Sequence, residues 1–352
     1  MKVSHLSWLI ISLSPSLLVQ AQELPDKQTE LIAKAKQVGQ AYLVPRDLSS
    51  IPQGEFGDKV RLGYQLFVNS QQMRDSYVGN NLNCSNCHMD AGRRANAAPL
   101  WAAYFAYPAY RKKNDKVNSY EERLQGCFTY SMNGTPPASG SKELVALSAY
   151  SYWLGMSGLM DQAGITTAVA ELSDSDLLKG GKREDMPLPE AVKTAMTQPE
   201  RAALPGKGFP KIVAPKLAYS PKRGSEVYQA HCQSCHGADG QGYESAGVYS
   251  LPPLWGPQSF NWGAGMHRVN TAAYFIYENM PFSKSVQLSN QQAWDVAAYI
   301  NAQERPQDPR FTGDIKQLKG KYHKHQGYYG SSVDGKPELG SKAYGNNPKR
   351  SD

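Results

Sequence analysis

PKRGSEVYQAHCQSCH, residues 221–236, is the stretch from which the rest of the chain can be read. A helix-compatible run, PKRGSEVYQAH, leads directly into C-x-x-C-H. That pattern attaches a c-type haem: Cys232 and Cys235 form thioethers to its vinyl groups, and His236 ligates its iron. The same pattern recurs at residues 84–88, CSNCH, with Cys84, Cys87 and His88. Zinc is the competing reading of two C-x-x-C pairs. It does not need a histidine directly after each pair, however, and pairs about 145 residues apart match a compact zinc site poorly. Four of the five cysteines are thereby used, and two covalently bound haem c groups are expected.

Each motif sits inside a larger unit. Ahead of CSNCH, residues 58–77, DKVRLGYQLFVNSQQMRDSY, place Val60, Tyr64, Leu66 and Phe67 broadly on one side of a helix. The halves close alike, with SGSKELVALSAYSYWLG at 139–155 and LSNQQAWDVAAYINAQ at 288–303. Small class I cytochromes c pack an opening helix on a terminal one through a glycine and an aromatic four residues later. Gly224 and Tyr228 have that spacing, as do Gly63 and Phe67. The expected fold is mainly α: two class I cytochrome c-like domains, each with one covalent haem, joined by a Pro-rich linker. Residues 22–196 form the first, haem-bearing catalytic domain, including a short helical candidate at 27–42. Residues 197–221, with five prolines, form the linker. Residues 222–308 form the electron-transfer domain, and 309–352 a polar tail without periodicity, expected to be mobile or draped on the surface.

The first 21 residues, an apolar run ending in Val19-Gln20-Ala21, read as a cleaved secretory signal, which places the mature protein in the periplasm. No later segment approaches 18 consecutive apolar residues, so the chain is not expected to span a membrane. The net charge of +7 is scattered, with no aromatic-interleaved basic stripe, which argues against nucleic acid as a partner.

The fifth cysteine and the sixth iron ligands carry the chemistry. Met280, followed by Pro281, lies 44 residues after His236 and takes the usual distal position of a class I cytochrome c. Thioether ligation gives an electron-transfer haem of raised potential. In the first half, Cys127 stands 39 residues after His88, and Met132 is its rival. Thiolate is the more economical reading of an otherwise unpaired exported cysteine, and it favours ferric iron at low potential. Arg123 and Ser131, four residues to either side, share a helical face with Cys127. Arg111, Lys112 and Lys113, with Arg93 and Arg94, add positive charge suited to a small oxyanion. A salt bridge to a haem propionate is the other reading of Arg123. Of the remaining histidines, His231 merely precedes the second motif, and His323 and His325 sit in the tail. His267 is a weak candidate for an alternative haem ligand.

KVNSYEERLQGCFTYSMNGTPP, with CSNCH ahead of it and FNWGAGMHRVNTAAYFIYENMP after CQSCHGADGQG, resembles the dihaem thiosulfate dehydrogenases, or tetrathionate synthases. The resemblance covers roughly residues 55–305, with a first domain similar to the SoxA cytochromes. It implies that His88 and Cys127 ligate an active-site haem, that Arg123 and Ser131 assist the substrate, and that Arg111 or Lys113 completes the pocket. It also implies oxidative joining of two thiosulfates, with electrons leaving through the second haem to a soluble or membrane-attached cytochrome c. Where some members carry lysine just before the methionine, this chain has Asn279. The alternatives are a tetrathionate reductase, a SoxA-like subunit acting on a carrier protein, and a non-catalytic dihaem electron carrier. A peroxidase fits less well, because it needs an accessible peroxide site.

Overall fold

The computed structural model describes residues 46–74, 76–111, 114–156, 208–245, 248–282 and 287–345. The signal at 1–21, the helical candidate at 27–42, Lys112, Lys113 and residues 157–207 lie outside the described residues. In the first half, helix α1 (Glu55–Val68) leads to the CSNCH loop and a short hairpin, β1 (Ala109–Arg111) with β2 (Lys116–Asn118). Helix α2 (Tyr120–Gly126) and α3 (Lys142–Gly155) follow. The second half runs through α4 (Pro221–His231), a short hairpin of β3 (Tyr243–Ser245) and β4 (Val248–Leu251), α5 (Val269–Asn279) and α6 (Asn290–Asn301). A last helix, α7 (Ile315–Tyr322), comes from the C-terminal segment.

Both opening helices cross their closing helices at a glycine. A Cβ on Gly63 would stand 2.0 Å from the Ala146 carbonyl oxygen, and one on Gly224 would stand 1.9 Å from that of Asp295. Only glycine permits backbones to approach so closely. The aromatic one turn on completes each crossing: Phe67 lies 5.8 Å from Tyr150, and Tyr228 lies 5.3 Å from Tyr299, centroid to centroid. The bidentate pair from Arg223 to Asp295 further ties α4 to α6. Helix α3 is buried nearly all round, which explains why its sequence shows texture rather than a clean amphipathic period. Fully buried Trp153, Leu144 and Leu154 each contribute about 1.5–3 kcal/mol of transfer free energy.

The two halves share their cores. Phe260 and Ala264 of the second half belong to the cluster around α1 and α3, while Met89 and Ala97 of the first belong to the cluster around α5 and α6. Buried Asn80 donates to the Ser131 carbonyl of its own half and across the seam to that of Ser259, and Asn261 donates back across it to that of Thr129. Asn279 donates to the Asn96 carbonyl.

Of the tail, expected to be mobile or draped on the surface, residues 309–345 include side chains packed against the second half. Leu318, Tyr329, Val333 and Leu339 form a third cluster with Trp262 and Ala302. Leu318 comes from α7, where Ile315, Leu318 and Tyr322 share a face, while Tyr329, Val333 and Leu339 are isolated apolar residues in a polar stretch. Tyr329 packs edge-on against buried Trp262, 5.5 Å between ring centroids.

Candidate active site

The cysteine pairs fit covalent haem. None of the five cysteines is joined in a disulfide. Cys84, Cys87, His88 and Cys127 line one cavity of about 680 Å³, which also takes Met132, Phe260, Met266 and Tyr274 into its wall. His88 Nδ1 lies 2.6 Å from the Ala98 carbonyl oxygen, and His236 Nδ1 lies 3.2 Å from that of Pro252. A carbonyl can only accept, so the proton sits on Nδ1 and Nε2 keeps the lone pair an iron requires. Burial lowers His88 to about 4, which keeps this imidazole neutral. In the second half, Cys232 and Met280 pack against the same core cluster, with Met280 at the end of α5.

Cys127 owes its place to an irregular turn. Ser119 caps α2, accepting from the Glu122 backbone N–H while the Glu122 carboxylate accepts from the Ser119 N–H. The helix then widens into one π-helical turn, Cys127–Ser131, closed by a bond from the Met132 N–H to the Cys127 carbonyl. Such turns concentrate at functional sites, because the extra residue re-aims the side chains. Here Arg123 donates from Nη1 to the Cys127 Sγ over 2.8 Å. The sulfur's negative charge in turn raises the Arg123 pKa. The sequence-based grouping of Arg123, Cys127 and Ser131 is thus present in the cavity wall.

A second, smaller cavity of about 200 Å³ adjoins the first, sharing Arg111, Arg123, Ser131 and Gly265. Arg111 reaches it from β1 and donates to the Tyr107 hydroxyl over 2.6 Å. Arg268, from the second half, supplies a third guanidinium that the sequence reading did not single out. Its Nε is buried without a hydrogen bond, and its pKa is lowered by burial and by Arg310 and Arg111 nearby. The wall's carboxylate, Glu122, is already taken by Lys116 at 2.7 Å. What remains is a small compartment with three guanidinia and a hydroxyl, beside the sulfur of Cys127. A dianion would offset the mutual repulsion of those cations.

Arg93 and Arg94 are not brought to this wall. Arg93 pairs with Asp90 at 2.7 Å, and Arg94 is buried over the Phe282 ring. Lys113 lies outside the described residues. Met132, the rival ligand, is buried and also lines the larger cavity, but it lacks the guanidinium contact that Cys127 has.

Comparison with known proteins agrees with this architecture. Residues 74–154 match the family model of the SoxA/TsdA cytochrome c domain, and residues 221–304 that of cytochrome c. The chain is 45% identical over 314 residues to a thiosulfate dehydrogenase of Stutzerimonas stutzeri, covering 88% of this chain and 89% of that protein. It is 46% identical over 297 residues to one from Thiomonas intermedia (84% and 82%), and 31% identical over 291 residues to one from Allochromatium vinosum (81% and 92%). The solved thiosulfate dehydrogenase TsdBA of Marichromatium purpuratum, in its as-isolated form, superposes with a TM-score of 0.71 at 40% identity. The superposition covers 88% of this chain, which spans 59% of the length of that one.

Proposed function

The chain belongs to the thiosulfate dehydrogenase family, and we propose that it joins two thiosulfates to tetrathionate beside Cys127, passing the electrons out through its second half to a cytochrome c-type acceptor. The observation that carries this reading is the junction of the two cavities: Arg123 holds the Cys127 sulfur where a haem-sized space meets a compartment of guanidinia. The leading apolar run of residues 1–21 supports export to the periplasm.

The protein's first task is electrostatic. Two dianions about 4 Å apart repel by ~4 kcal/mol even in bulk water, and by more in a partly dry cavity. Arg111, Arg123 and Arg268 offset that repulsion, and Ser131 offers a hydroxyl to a sulfonate oxygen. The second task is alignment. With the sulfonate held by guanidinia, the terminal sulfur of thiosulfate is directed toward Cys127. Formation of a cysteinyl S–S bond to that sulfur releases two electrons. Attack by a second thiosulfate then breaks the bond, frees the Cys127 thiolate and closes the central S–S bond of tetrathionate. The sum is two thiosulfates giving one tetrathionate and two electrons. Cys84, Cys87, Cys232 and Cys235 would hold the two haems, with His88, Cys127, His236 and Met280 as iron ligands, and the haems would supply one-electron storage and transfer.

Turnover of the purified holoprotein with thiosulfate and a high-potential acceptor tests this, alongside Cys127→Gly. Tetrathionate is expected from the wild type and not from the variant, with both haems still attached. Wild type inert under oxidising and reducing drive alike would leave an electron carrier and refute the enzyme.

A further inference from the structure

Three histidines that the active site does not use converge where the C-terminal segment meets the second half. His267 precedes α5, and His323 and His325 follow α7. Each offers one ring nitrogen, and these three atoms lie within 4.8 Å of one another. His267 and His323 are buried and His325 half-buried.

The hydrogen bonds of two of these rings fix where their protons and lone pairs lie. His267 Nδ1 is hydrogen-bonded to the Ala264 carbonyl, which only accepts, so Nδ1 carries the proton and Nε2 a lone pair. His323 Nε2 lies 3.0 Å from Asp308 Oδ2, another acceptor, so its proton belongs there and Nδ1 is left with a lone pair. Those two lone pairs face each other across 3.2 Å. Two nitrogen ligands on a tetrahedral zinc, each about 2.0–2.1 Å from the metal, stand about 3.3 Å apart. A cation seated to one side of the line between them, with a tilt of the rings toward it, is thus accommodated at ordinary zinc–nitrogen distances. The outer groups are those that orient metal-bound imidazoles: a backbone carbonyl behind His267 and a carboxylate behind His323. Asp308 is itself fixed by a bidentate pair with Arg310, at 2.9 and 2.6 Å.

We infer that His267, His323 and His325 form a binding site for a divalent transition metal of the zinc class, clamping the C-terminal segment onto the second half. A turn of the half-buried His325 ring brings the third nitrogen in, and water fills the fourth position. Neutral imidazoles and tetrahedral spacing select zinc over the oxygen-seeking magnesium and calcium. The neighbouring residue, Arg268, lines the small anion compartment, so the clamp holds the start of α5 from behind the active site.

The test uses full-length holoprotein stripped with chelator, equilibrated with zinc, freed of excess and assayed for zinc against haem iron. One zinc per two irons is expected in wild type and almost none in His325→Ala, whose side chain is the least buried of the three. Asp308→Asn should bind 10- to 100-fold more weakly. Zinc-edge X-ray absorption should show three nitrogen neighbours at about 2.0–2.1 Å. Failure of wild type to retain zinc would overturn the site, leaving a doubly protonated His323 paired with Asp308. Zinc retained undiminished by His325→Ala would overturn it equally, whether or not Asp308→Asn folds.

Discussion

Replacing Arg268 by glutamine should move activity and stability in opposite directions. Arg268 lines the small cavity with Arg111 and Arg123, and its Nε is buried without a hydrogen bond. Burial, then the charges of Arg310 and Arg111, lower its pKa, so its charge opposes folding where it stands. Removing that charge relieves the strain, and the melting temperature should hold or rise. Catalysis loses a charge-assisted hydrogen bond to a dianion, about 1.5–3 kcal/mol. That is roughly a 10- to 150-fold fall in kcat/KM. Arg268→Lys keeps the charge but not the planar fork and should fall between. The assay is steady-state thiosulfate oxidation with an excess of electron acceptor, beside a thermal melt and the visible spectrum of both haems. A variant with kcat/KM within threefold of wild type would refute the role of Arg268 in binding anions. One that lost activity and stability together would show Arg268 to be structural instead.

Other perturbations probe the frame and the ligand set. Gly63→Ala and Gly224→Ala drive a methyl into the facing backbone and should each cost about 3 kcal/mol or more in urea unfolding. Gly320→Ala, inside α7 with nothing within 4 Å, should be neutral or stabilising by up to ~1 kcal/mol. Partial burial works against ionised Glu122, yet Lys116 and the Ser119 backbone hold its pKa down at about 2, against an ordinary 4.5. Its contribution is therefore full above pH 4.5 and lost as pH falls through about 2. Solvent screening limits it to ~1 kcal/mol, and Glu122→Gln should flatten that part of the melting-temperature profile. Cys127→Met should change the spectrum of the first haem and raise its reduction potential, whereas Met132→Leu should leave both unchanged; the reverse pattern would make Met132 the ligand.

The parts legible in the sequence were those written in local spacing. C-x-x-C-H, the Gly-x-x-x-aromatic crossings and the Arg123–Cys127–Ser131 register each fall within a few residues, so helical geometry alone carried them into space. Arg268 was not legible, because it meets Arg123 only through the fold, 145 residues away in the chain. The histidine cluster failed for the same reason: His267 meets His323 and His325 only because the C-terminal segment folds back on Trp262. Polarity averaged along that segment conceals isolated apolar residues that gather in one cluster with Trp262. Arg93 and Arg94 erred the other way: their proximity in sequence to the motif counted for less than a local pair with Asp90 and a ring to cover.

The seam formed by Asn80, Asn261 and Asn279 has a kinetic consequence. Each amide bridges backbone from one half to the other, and the side-chain clusters on both sides interpenetrate. The spacing between the two redox centres is thereby a property of the folded core rather than of the chain that joins the halves. With both haems bound, electron passage between them would cross a gap set by the fold and would be indifferent to solvent viscosity. On the proposed route out through the second half, the step that the environment can still tune is the last one, to the acceptor.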